Sequence, residues 1–324
     1  MQRVNQVDHH LAFATSATTP QVRGVAIANA AAQKFERCVA LAVVIMPFLG
    51  LLAAIIWQWR SGIGPVEVSL LVGMYTATIM GIGMGFHRLF SHSAFQTTVA
   101  IRVILAILGS MAAQGPVLWW AAIHRRHHAY SDRPGDPHSP HLHGGGVLGL
   151  LRGLWHAHTG WLFVHEVTDW AHYIPDLLRD TLLFRINRLY FVWVGLGFVI
   201  PAMIGGLLSW TWLGAFQGFL WGGLVRMCLG HHATWSINSI THVCGSRPFQ
   251  SHDQSVNNFW IALLVFGEGW HNNHHMFPNS AKHGFAWWQI DVSGWAIRAL
   301  ELVSLAWNVK APTARMIIAA KRAP

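Results

Sequence analysis

Two apolar runs, residues 39–57 and 68–86, stand early in the chain without a single charged side chain. At 1.5 Å per residue each reaches about 28 Å as a helix, close to the thickness of a bilayer's hydrocarbon core. The link between them carries Gly62, Gly64 and Pro65 and has room only for a tight turn, so the two runs are expected to form a helical hairpin. A second pair follows, residues 191–212 and 213–229, with Arg226 near its end and a turn possible only at 210–213. Placing both turns on one side leaves Arg60 as the single basic residue in an outer loop and Arg226 inside a span. Every other Lys and Arg then faces inward, as the positive-inside rule requires. The expected fold is an all-α membrane protein: four transmembrane helices in two hairpins, with a cytoplasmic helical cap built from residues 87–180 and from 231 onward. Residues 1–35, which lack a sustained apolar period, are expected to be a mobile tail, and 36–324 a single domain.

Composition agrees, since 53% of residues are hydrophobic and only 11% charged, against roughly 25% charged in soluble domains. The net charge of +9 comes without a basic run interleaved with aromatics, which argues against a nucleic-acid partner. It fits orientation against an anionic inner leaflet and a face for an acidic electron carrier. Cys38, Cys228 and Cys244 are odd in number and scattered, so neither a disulfide framework nor a CxxC metal site is indicated.

The chemistry lies in the polar segments. HRLFSH holds His87 and His92; HRRHH holds His124, His127 and His128; HNNHH holds His271, His274 and His275. On a helix, positions i, i+3 and i+4 share one face, so each HxxHH can present three imidazoles as a half-site. His87 and His92, five apart, would diverge on an ideal helix, and the pair is expected to straddle a helix end or a distortion. NSITH adds His242, and Asn238 as an amide able to hold a metal-bound water. Nine histidine ligands exceed the needs of one ion and point to two metals. The other histidines, among them His138, His231, His232 and His283, are expected to lie outside the set. Glu268, three residues before His271, is the foremost candidate to fix a ligand's tautomer through its second nitrogen, with Asp136 and Asp169 as further candidates. Gln114, Trp119, Trp120, Thr234, Trp235 and Trp270 flank the histidine motifs and could shape a bent tunnel beside the metals.

These motifs, with DPH at 136–138, HTGW at 158–161, ATWSINSITHVCG at 233–245 and GEGWHNNHHMFP at 267–278, resemble the membrane fatty acyl desaturases of the stearoyl-CoA and acyl-lipid Δ9 type, in their bacterial form. The resemblance implies two iron ions held by the nine histidines, with Asn238 acting through water, and O2 as co-substrate. It implies a cis double bond, at Δ9, in a fatty acyl chain, with Gln114, Trp120, Thr234 and Trp235 on the tunnel wall. Animal acyl-CoA enzymes of this type carry Arg-Asp where this chain has Ala122 and Ile123, so the carrier, CoA or membrane glycerolipid, stays open; Arg125, Arg126 or Arg152 could meet a phosphate. No dinucleotide fingerprint, ferredoxin cysteine spacing or cytochrome domain is present, so electrons are expected from a separate ferredoxin, cytochrome or flavoprotein. The bacterial inner membrane, with the active site on the cytoplasmic side, is the expected location. Competing readings are a di-iron hydroxylase, an alkene-forming decarboxylase and, from another class, a histidine-rich metal carrier in the membrane.

Overall fold

The structure, a computed structural model, describes residues 22–59 and 62–322. Residues 1–21 of the expected tail and Arg60 lie outside the described residues. The chain is mostly helical, and among the described residues three helices are long and apolar enough to cross a membrane: Ala30–Gln58, Pro65–Ser91 and Tyr190–Ser209. Two short antiparallel pairings clasp distant segments, Val25–Ile27 with Glu166–Thr168 and Gln96–Thr97 with Ala306–Trp307.

The first long helix begins earlier than expected. Asn29 accepts a hydrogen bond from the Ala32 amide at 2.9 Å, which caps the run of Ala and Gln that follows. Residues 25–35, assigned to a mobile tail from their mixed composition, are therefore strand and helix. Ala30–Gln58 buries only Ala40, Pro47, Gly50, Ala54 and Gln58, while Ile45, Met46, Phe48, Leu49 and Ile56 are exposed. Small residues inward and large apolar ones outward are the reverse of a soluble helix and suit packing within lipid.

The second helix runs regularly over Pro65–Met80 and then widens into a π-helix over Gly81–Ser91, beyond the expected end at 86. Gly81 permits this crossing: a Cβ there would lie 2.2 Å from the Gly109 amide nitrogen, so helix Val99–Met111 touches it backbone to backbone. Tyr190–Ser209 ends at Trp210, in a left-handed conformation (φ 53°), and Thr211 caps the next helix by accepting from the Gly214 amide. Trp212 thus opens the return helix, where the sequence had suggested that it closes the outgoing one. That return is one rod in three windings, Trp212–Gly218, a π segment Phe219–Val225, and Arg226–Ser239, ten residues past the expected end at 229. It continues because buried Arg226 is solvated by carbonyls, donating to Gly222, Met111 and Gly197 at 2.9–3.1 Å.

Below the long helices, Phe86, Phe90, Phe95, Leu105, Leu118, Ile174 and Ile297 share a buried core. Within it Arg88 donates to Glu268 Oε1 (2.9 Å), Asp291 Oδ1 (2.8 Å) and the Ala281 carbonyl (2.7 Å). This network fixes the last third of the chain against the second helix.

Candidate metal centre

Four local structures deliver the histidines. His87 sits in the π-helix and His92 caps it; i→i+5 winding returns residues five apart to one side, and the two rings lie 4.9 Å apart. The expected distortion is this π segment. His124, His127 and His128 project from helix Val117–Tyr130, His242 from the single turn Ile240–His242, and His271, His274 and His275 from the short helix His271–Met276. The two asparagines of HNNHH hold that last helix from its other face. Asn272 accepts from the Phe249 amide (2.9 Å), and Asn273 donates to the His283 carbonyl (2.7 Å).

All nine imidazoles meet in two groups, one of His87, His92, His124, His128 and His274, the other of His127, His242, His271 and His275. Within each, the donor atoms lie within 4.8 Å of one another. Neither HxxHH serves as a half-site for a single ion, because each motif is divided between the two groups. A helix turn spreads i and i+4 to one side and i+3 to the other once partners crowd both flanks.

The ring nitrogens fit metals. Nε2 atoms face one another at 2.7 Å (His92 and His124), 2.9 Å (His128 and His274) and 3.0 Å (His87 and His274; His242 and His271). On the outer side His87 Nδ1 meets Glu268 (2.5 Å), His127 Nδ1 Asp136 (2.9 Å), His242 Nδ1 Asp132 (2.8 Å) and His275 Nδ1 Asp253 (2.5 Å). A carboxylate on Nδ1 holds the proton there and turns the Nε2 lone pair inward, as metal-binding histidines require. His275 Nε2 is buried without a hydrogen-bond partner, which a bound cation would satisfy. Burial, joined by neighbouring imidazole charges, holds His124, His128, His271 and His274 well below the ordinary imidazole range, so they are neutral and able to ligate. His275 is lowered to about 4 by burial, against the opposing pull of Asp253. Burial alone would raise Glu268, but Arg88 and His87 hold it well below the usual carboxylate range.

Beside these groups lies a largely apolar cavity of about 440 Å³. Gln114, Trp120, Thr234, Trp235 and Asn238 are on its wall, as are His87 and His124 of one group and His127 and His271 of the other. Trp119 lines it too, whereas Trp270 is buried away from it, donating to the Ile290 carbonyl. A second, polar cleft reaches His92, His128 and His275 from elsewhere, lined by Arg125, Arg133 and His252. Seven of the nine histidines thus line one of two openings, the apolar cavity or the cleft.

Several partners were not legible beforehand. Glu268 serves His87, 181 positions away, and not neighbouring His271. Asp169 caps helix Trp170–Tyr173 and touches no metal-group histidine. Asp132 and Asp253 were missed; Asp132 ends the HHAYSD stretch, a faint signal, while Asp253 in SHDQS carries none. Arg125 is committed to Asp176 and to the Phe90 and Ser91 carbonyls, and Arg126 to Glu166, so neither is free for a phosphate. Ala122 is buried in the core and Ile123 lines the cavity. His283 and His138, set aside as bystanders, pack against His274 and His127 with ring centroids 4.6 and 4.4 Å apart.

Comparison with known proteins agrees with this geometry. Over 86% of its length the chain is 52% identical to a hex-5-enoyl acyl-carrier protein acetylenase of Moorena producens, covering 88% of that enzyme. It is 37% identical, over 76% of its length and 84% of the relative's, to an sn-1 stearoyl-lipid 9-desaturase of Anabaena variabilis. It is 34% identical, over 85% of its length and 83% of the relative's, to delta-9 acyl-lipid desaturase 1 of Arabidopsis thaliana. Residues 65–300, which hold all nine clustered histidines, match the fatty acid desaturase family. The chain is an oxidoreductase belonging to the fatty acid desaturase family.

Proposed function

We propose that this protein is an O2-dependent desaturase that places a cis double bond, at Δ9, in a saturated acyl chain carried on a membrane lipid or CoA. The observation that carries the reading is the apolar cavity whose wall includes imidazoles of both metal groups. A methylene has neither a leaving group nor an acidic proton, so the nine histidines, with Asn238 through water, are read as holding two iron ions, which supply the O2 chemistry that redox-inert zinc cannot. Trp119, Trp120 and Trp235 wall the chain and exclude water, and a fixed bend set by Gln114 and Thr234 selects which methylenes lie beside the histidines. Two hydrogens leave the chain, two electrons and two protons are supplied, and O2 departs as two waters. The electrons come from a separate ferredoxin, cytochrome or flavoprotein.

Four spans, residues 30–58, 65–91, 190–209 and 212–239, fit the two hairpins, with the second and fourth ending at the histidine-bearing turns. Together with the inward bias of Lys and Arg, this supports a bacterial inner-membrane enzyme with a cytoplasmic centre. Apolar residues at positions 122 and 123, and the internal pairing of Arg125 and Arg126, favour a lipid-borne chain over CoA. The 52% identity to an acetylenase supports a second reading, in which a chain held on acyl-carrier protein is taken on to a triple bond.

Gas chromatography with mass spectrometry of total fatty acids from a host expressing the chain, beside its His274→Ala variant, tests the reading. A monounsaturated acid absent with the variant supports it; an alkyne favours the second reading; a hydroxy acid or terminal alkene rejects both.

A further inference from the structure

We propose that His283 is a positioning residue for the five-histidine group, holding Glu268 so that His87 keeps its Nε2 lone pair on the metal. The inference rests on the metal reading above and adds a residue to it. His283 is fully buried. Its Nδ1 lies 3.2 Å from Glu268 Oε2, the same oxygen that His87 Nδ1 contacts at 2.5 Å, but off the axis of a hydrogen bond, so that both buried ring nitrogens of His283 are without a hydrogen-bond partner among the described residues. Its ring stands 5.4 Å from that of His87 and 4.6 Å from that of His274, so it packs against two members of the group.

The backbone of His283 is pinned on both sides. Its amide donates to Asp291 Oδ2 at 2.6 Å, and its carbonyl accepts from Asn273 Nδ2 at 2.7 Å. Asn273 belongs to HNNHH and Asp291 pairs with Arg88, which also holds Glu268 Oε1. Glu268 is therefore hydrogen-bonded at one oxygen by Arg88 and at the other by His87, and His283 Nδ1 stands 3.2 Å from that second oxygen. Gripped by Arg88 alone the carboxylate can pivot about that contact; the polar Nδ1 of His283 beside the second oxygen limits the pivot and keeps that oxygen facing His87. Removing such an outer contact weakens metal binding about 10–100-fold in comparable sites.

The test compares the full-length wild type with His283→Leu and His283→Asn, purified in detergent. Metal content is measured by mass spectrometry after a graded chelator challenge. Leu keeps the volume without a donor, whereas Asn offers an N–H where Nδ1 stood. The expected result is two ions per wild-type chain, one for His283→Leu at a chelator concentration the wild type withstands, and two again for His283→Asn. The ion kept in the four-histidine group reports that the Leu variant is folded. Two ions retained by His283→Leu at the wild-type chelator midpoint would overturn the proposal. So would equal loss from both variants, which would make the ring's bulk, not its donor, the requirement. A wild type holding no metal would reject the underlying metal reading and the proposal together.

Discussion

The two histidine groups differ less in their ligands than in what stands behind them. In the four-histidine group, three rings are backed by carboxylates, His127 by Asp136, His242 by Asp132 and His275 by Asp253. In the five-histidine group, among the described residues, only His87 is, through Glu268, whose carboxylate also bonds Arg88 and stands 3.2 Å from His283 Nδ1. A carboxylate makes an imidazole a stronger donor. One group therefore has more carboxylate support and the other more imidazoles.

The largest test removes a ligand from each side. His274→Ala and His271→Ala are each expected to abolish desaturated product and to lower metal content by one ion per chain, read by elemental analysis. If either variant keeps both ions, the division into five and four is wrong. Next, Asp253→Asn is expected to weaken the four-histidine group alone by about 10–100-fold, seen as earlier loss of one ion in a chelator titration.

Acidification sharpens the contrast without mutation. An imidazole in the unfolded chain titrates near 6.5, whereas buried His275 does so at about 4. Below about pH 6.5 the unfolded state binds a proton that the folded state refuses, so stability of the metal-free protein falls as pH drops from 6.5 toward 4. Asp132, Asp136 and Asp253 are held below the ordinary carboxylate range by their histidine partners in spite of burial, so their contribution persists above about pH 4 and is lost under stronger acid. A melting temperature that rises between pH 7 and pH 5 would contradict this. The smallest effect is expected from Asn238→Ala, less than about tenfold in turnover with metal content unchanged, the scale of one hydrogen bond.

Much of the site could be read in one dimension because its information is local. Imidazoles at i, i+3 and i+4 need only a helix to reach one side of it, although the two groups then divide each triplet, and nine of them on polar segments beside apolar runs point to metals. The fifth-residue spacing of His87 and His92 even announced a distortion, which proved to be the π winding that carries Gly81, Gly83 and Gly85. The carboxylates were harder. His242 and Asp132 are 110 positions apart and His87 and Glu268 181, and although Glu268 was legible as a partner for a histidine's second nitrogen, which histidine it serves was not. The tail boundary failed for a similar reason, since the strand at Val25–Ile27 exists only because Glu166–Thr168 is there to pair with it.

Sequence alone determined the family and the histidines that gather: long uncharged runs give helices long and apolar enough to cross a membrane, and imidazoles repeated at helical spacing come together in two groups. Tertiary structure decided which imidazole joins which group, which carboxylate stands behind it and where His283 fits. Those choices follow from crossings such as the backbone contact of Gly81 with Gly109, which set the distances between helices. Hydrophobicity and helical phase are properties of short stretches, whereas the direction of a lone pair depends on every element packed around its ring.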